Sequence, residues 1–163
     1  MNIDPYGEPG FGLGWYVRSV AEELGLPAEA ASYELDEPAT AYVALDERCP
    51  AFPDLDLMLL WDEENGWAVA VETHPADPAV VLAYAADAVV PPPTAVRQFV
   101  SAVTAGRAAG QTLPPAFRTA READGLDELL AAYALAHQHE MRFDSSWTGA
   151  SGSSSQLVPV AGV

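Results

Sequence analysis

The sequence predicts an α+β domain: an N-terminal helix, an antiparallel meander of about five strands, and two or three C-terminal helices. Three observations carry that expectation. Asp54–Trp61 and Trp67–Thr73 are apolar runs of strand length flanking Asp62-Glu-Glu-Asn-Gly66, a charged loop whose Asn-Gly ending signals a hairpin. Ahead of them, Leu13, Tyr16/Val17, Val20/Ala21 and Leu24 recur at helical steps, with Arg18, Ser19, Glu22 and Glu23 on the other face. Behind them, three consecutive prolines at 91–93 break the sheet before helical periodicity resumes.

Taken in order, residues 1–10 hold two prolines and two glycines without periodicity and are expected as a flexible arm. The first helix spans Leu13 to Leu24; Gly25 is placed for a left-handed cap, and Pro27 forbids continuation. Ala31–Asp36 alternates apolar and polar and pairs across Glu37-Pro38 with Thr40–Asp46. Cys49–Asp54 contains two prolines and is a loop. The central hairpin follows, and after His74–Pro78 the fifth strand is Ala79–Tyr84. Thr94 serves as the N-cap of a helix to about Ala105, with Val96, Phe99, Val100 and Val103 as its stripe and Gly106 as its end. A short helix near 116–123 precedes a longer one from Leu126 to Met141, whose apolar face holds Leu126, Leu129/Leu130, Tyr133, Ala134 and His137. The domain thus runs over 11–143, and the Ser/Gly-rich stretch 144–163 is a disordered tail.

A register that sets Trp61 opposite Trp67 assigns every hairpin side chain to a face. Leu55, Leu57, Leu59 and Trp61 then stand with Thr73, Val71, Val69 and Trp67 on a core face, which the first helix and the Val96–Val103 helix cover. The other face carries Asp56, Met58 and Leu60 against Glu72, Ala70 and Ala68, and its alanines leave room for a helix, a partner or a ligand. Asp56 and Glu72 oppose like charges, relieved by solvent, by an arginine, or by a site that uses both carboxylates. Trp61 and Trp67 form a structural clamp or, on the sharper reading, an aromatic platform for a ligand.

Composition excludes several function classes. Half of the 163 residues are hydrophobic, but no run nears the ~20 apolar residues that span a bilayer. The start lacks a basic and then apolar leader. The lone cysteine, Cys49, offers no disulfide and fits a reducing cytoplasm. With 24 acidic and seven basic residues the net charge is −17, and every basic residue is arginine. Such a surface repels phosphate backbones and anionic headgroups, so neither nucleic acid nor membrane is an expected partner. Solubility and colloidal stability are the first reading of that charge, and an arginine-rich protein surface is the partner it would choose.

Residues that could carry chemistry are scattered. His137 and His139 sit two apart and cannot share a metal from one helix face. His74 lies in a Pro-rich turn near Glu72 and Asp77, with no nucleophile in sequence reach. Gly10-Phe-Gly-Leu-Gly14 lacks the preceding strand and later spacing of a phosphate loop and is expected as a flexible lead-in. No hydrolase, P-loop, dinucleotide or zinc-protease signature occurs. No catalytic residue, cofactor or metal ligand is therefore assigned.

The ordered segments Trp15–Gly25, Ala41–Glu47, Asp56–Asp62, Gly66–Glu72 and Val81–Tyr84 resemble an uncharacterised family of small acidic actinobacterial proteins, over about residues 13–105. The Leu-Trp-Asp and Gly-Trp-Ala stretches carry most of that likeness. The resemblance implies an actinobacterial source and a cytoplasmic setting, and no activity.

The leading functional expectation is a non-catalytic protein-interaction or adaptor module. Its ligand or partner face is drawn from Asp56, Met58, Ala68, Ala70, Glu72, Trp61 and Trp67. The alternative is a small-molecule sensor or carrier with an apolar pocket between sheet and helices near Trp61, Trp67, Tyr42 and Tyr84. An enzyme built on Asp56/Glu72 or Glu72/His74 ranks third.

Overall fold

The computed structural model describes residues 8–120 and 125–133. Leu13, Tyr16, Val17, Val20 and Ala21 are all buried along one stripe of α1, Glu8–Glu23. The helix ends as its sequence dictates. Gly25 takes φ +74°, its N–H donates to the Glu22 carbonyl at 2.9 Å, and the Leu26 N–H donates to Ala21 at 2.9 Å. These are the paired bonds of a Schellman cap, and only glycine adopts that left-handed conformation without strain.

The start of α1 differs from expectation. The helix begins at Glu8, so residues 8–10 belong to it and the glycine-rich lead-in is helical. Intrinsic propensity disfavours glycine there, but packing overrides it. A Cβ on Gly12 would lie 1.9 Å from the Leu130 carbonyl oxygen, and one on Gly14 would lie 3.0 Å from the Tyr33 ring. The glycines let a second helix and an aromatic ring approach the α1 backbone.

After the one-turn 3-10 helix Ala28–Ala30 come β1 (Ala31–Glu34), β2 (Thr40–Ala44), β3 (Asp56–Asp62), β4 (Gly66–Glu72) and β5 (Val80–Tyr84). They form a single sheet in the order β1-β2-β3-β4-β5, every pair antiparallel, with helices packed on it: an α+β fold. In β3–β4 the register pairs Trp61 with Trp67 and Asp56 with Glu72. A bulge between Val69 and Ala70 shifts the pairing with β5.

The core gathers α1, the helix that follows the three prolines and one face of the sheet, with Leu57, Leu59, Trp61, Trp67, Val69 and Val71 all buried in it. The two indoles meet at 6.5 Å between centroids and 55°. Their N–H groups are satisfied inside the core: Trp61 Nε1 donates to the Val89 carbonyl at 2.6 Å and Trp67 Nε1 to Tyr16 Oη at 2.9 Å. Tyr16 in turn donates to the Pro91 carbonyl at 2.5 Å. Two polar links thereby tie β3, and β4 with α1, to the connector around Val89 and Pro91. Burial drives the Tyr16 phenol well above its ordinary pKa, with the Trp67 hydrogen bond acting in the opposite sense.

α2 spans Pro93–Thr104 and buries Val96, Phe99, Val100 and Val103, the stripe read from the sequence. Its N-cap is Pro92 rather than Thr94. Pro93 takes the first helical position, where a missing N–H costs nothing, and the Pro92 carbonyl accepts from Ala95 and Val96. A further correction concerns residues 116–120, part of the stretch expected as a short helix. They are irregular, because Ala116 has φ +53° and the backbone N–H groups of Ala116, Phe117 and Ala120 bond to the β3–β4 loop instead of to a preceding turn. Residues 126–133 form α3, with Leu126 and Leu130 buried and the Tyr133 ring 4.9 Å from that of Tyr16 between centroids, tilted at 59°. Leu129, expected on the apolar face, is 54% exposed. The first seven residues of the arm, His137, His139, Met141 and the tail 144–163 lie outside the described residues.

Candidate functional site

The face of the sheet turned away from the helices is built by cross-strand rows. Tyr42, Leu60, Ala68 and Tyr84 are register neighbours in one row, and Ala44, Met58, Ala70 and Val81 form the next. Met58, Ala68 and Ala70 are buried, yet none belongs to the helix-covered core. Ala68 and Ala70 lie on β4, in register with Leu60 and Met58 of β3 and with Tyr84 and Val81 of β5. Tyr42, across Leu60 in the same row, is 38% exposed.

The lower edge of this face is the Asp56–Glu72 pair. Arg48 reaches Asp56, Nη2 to Oδ1 at 3.0 Å, while both side chains stay substantially exposed. The loop after β2 places it there. A Phe52-to-Cys49 backbone bond at 2.9 Å and a Leu55-to-Phe52 bond at 3.2 Å fold residues 49–55 back into β3. Among the described residues no ion pair reaches Glu72, so the arginine relieves one carboxylate rather than bridging two.

Of the residues the sequence proposes for a partner face, Asp56, Met58, Ala68, Ala70 and Glu72 share this surface. Trp61 and Trp67 do not: they point into the core, buried on the opposite side of the sheet. Tyr42 and Tyr84 stand on the outer face, so the four aromatics of the pocket reading are divided between two sides. His74 is exposed in its turn, its Nδ1 accepting from the Ala76 N–H at 3.4 Å. Cys49 is buried and free. Among the described residues no three His, Cys, Asp or Glu side chains gather as metal ligands.

Two features escape sequence reading. The first is a shallow cleft of about 260 Å³ between α1 and β1, lined by Gly14, Trp15, Val17, Arg18, Ala31 and Tyr33. Arg18 lies over the Trp15 ring at 5.1 Å. The second is the β3–β4 loop itself. Glu63 pairs with Arg118, Oε1 to Nη1 at 3.4 Å, the two side chains only 13% and 4% exposed. These residues are 55 apart in the chain, so only the loop's cluster of acids hinted at a basic neighbour.

Residues 16–102, more than half of the chain, match the model of a family of unknown function, DUF6292. The chain belongs to that family. The matched residues take in the second half of α1, the whole sheet and most of α2. No curated protein and no solved structure matches the chain. Among the described residues, no helix of the family member is long and apolar enough to cross a membrane.

Proposed function

We propose that this protein is a non-catalytic protein-interaction or adaptor module that offers the outer face of its sheet to a partner. The observation that carries the reading is the division of the sheet. Helices cover the Leu/Val/Trp side, while the other side sets small buried alanines between larger apolar side chains and ends in a carboxylate rim. The net charge of −17 selects an arginine-bearing partner by electrostatic complementarity. A cytoplasmic setting and an actinobacterial source belong to the same reading, supported by the lone cysteine and the lysine-free, arginine-only usage of a GC-rich genome.

The test is recovery of the tagged protein from its native host at physiological salt, beside the Tyr42→Glu and Leu60→Glu variants. A stoichiometric partner bound by the wild type and lost from both variants, with native tryptophan emission retained, supports the reading. A lone monomer in every case removes it.

A second reading, a small-molecule carrier, is favoured by the cleft beside Trp15 and Tyr33, although its volume is below the ~300 Å³ at which drug-sized pockets begin. A metabolite library that leaves the Trp15 emission unmoved disposes of it.

A further inference from the structure

We infer that the tip of the β3–β4 hairpin is a recognition seat for an extended segment carrying an aromatic residue followed by arginine. In this chain the seat is filled in cis by residues 114–120, and a partner segment of the same chemistry takes it in trans. The seat goes beyond the outer-face reading and stands whether or not that face binds anything.

The seat is pre-arranged. Asp62 Oδ1 accepts the N–H groups of Glu64 and Asn65 at 2.9 and 2.8 Å, which fixes the turn and turns its remaining acceptors outward. Those acceptors are then used by residues far along the chain. Ala116 N–H donates to Asn65 Oδ1 at 3.1 Å, Phe117 N–H to the Glu64 carbonyl at 2.8 Å, and Ala120 N–H to Glu64 Oε2 at 2.9 Å. Arg118 Nη1 donates to the Glu63 carbonyl at 3.3 Å and pairs with its carboxylate. The Phe117 ring lies where a Cβ on Gly66 would meet its Cε2 at 3.3 Å. These contacts draw on backbone N–H groups and two side chains, the vocabulary of peptide recognition by a loop.

The cis occupant is not an ideal fit. Ala116 holds φ +53°, a conformation that favours glycine. Leu113, just before it, is 72% exposed, and Phe117 is 37% exposed. A free segment with glycine in place of Ala116 keeps every contact and sheds the strain. The acidic chain raises the local concentration of such a cationic peptide.

The experiment uses the full chain and the labelled peptide Pro-Pro-Gly-Phe-Arg-Thr-Ala, followed by fluorescence anisotropy at physiological salt. Arg118→Ala removes the ion pair and side-chain hydrogen bond of the cis segment and so loosens its hold on the seat; this variant is expected to bind the peptide about tenfold or more tighter than the wild type. Glu63→Gln in the same background abolishes that gain, as does alanine in place of the peptide's arginine. Failure of Arg118→Ala to bind, with its near-UV tryptophan signal native, overturns the proposal. So does binding indifferent to Glu63→Gln, which is charge attraction alone. Should Arg118→Ala not fold, hydrogen exchange of the wild type decides. The Phe117 and Ala120 amides opening well before Val69, and faster with added peptide, supports the proposal. Their opening only together with Val69 makes the segment an integral part of the fold and overturns it.

Discussion

The two faces of this sheet share the same strands yet are built by opposite means. On the inner face, Leu57, Leu59, Trp61, Trp67, Val69 and Val71 are large, fully enclosed by helices, and carry hydrogen-bonded indoles that fix their orientation. On the outer face, Ala68 and Ala70 are small and buried, in register with longer residues on the neighbouring strands. Alternation along β3 and β4 therefore separates a stabilising surface from a presenting one. The inner face should dominate the free energy of folding, and the outer face should tolerate change.

The sharpest way to break that contrast is to remove the same atoms from each side. Leu59→Ala should cost about 2–5 kcal/mol in urea unfolding, and Leu60→Ala less than about 2 kcal/mol. Equal losses would mean that the faces are energetically alike. Gly12→Ala tests whether the helical layer closes as tightly as the Leu130 carbonyl implies. It should lower stability by about 1–3 kcal/mol, although alanine ordinarily favours a helix. Gly14→Ala should do less, because the Tyr33 ring can move aside.

Tyr16→Phe strips the hydroxyl from the inner face and leaves the Trp67 N–H and the Pro91 carbonyl unmatched, for a loss of about 1–3 kcal/mol. It also has a pH signature. The folded phenol titrates above the unfolded value, so its contribution is intact below about pH 10 and declines as pH rises beyond it. Wild-type stability should fall on that side, and the variant should lack that part of the slope. Smallest is Asp56→Asn on the outer rim. It loses the exposed Arg48 pair and also the repulsion from Glu72, so thermal unfolding should move by no more than about 0.5 kcal/mol.

What could be read in advance follows from how local the cause is. The hairpin register was legible because alternation and one Asn-Gly turn determine it within a short stretch, and with it the sorting of Trp61 from Ala68. The caps at Gly25 and Gly106 were legible for the same reason; both glycines adopt φ +74°. Sequence missed the helical state of Gly10–Gly14, since the cause is Leu130, more than a hundred residues away. It also missed the path of 116–120, whose hydrogen bonds are to Glu64 and Asn65 rather than to its own preceding turn. Within the candidate face, the residues were legible but the role of Arg48 was not, because the reversal at Cys49–Phe52 that swings it to Asp56 has no strong signature.

The contact between Gly12 and Leu130 also orders events in time. During synthesis the α1 helix is made more than a hundred residues before the carbonyl that seats against it. Until Leu130 is made, the notch at Gly12 has no backbone to fill it, so the closing of this helix waits on that downstream segment.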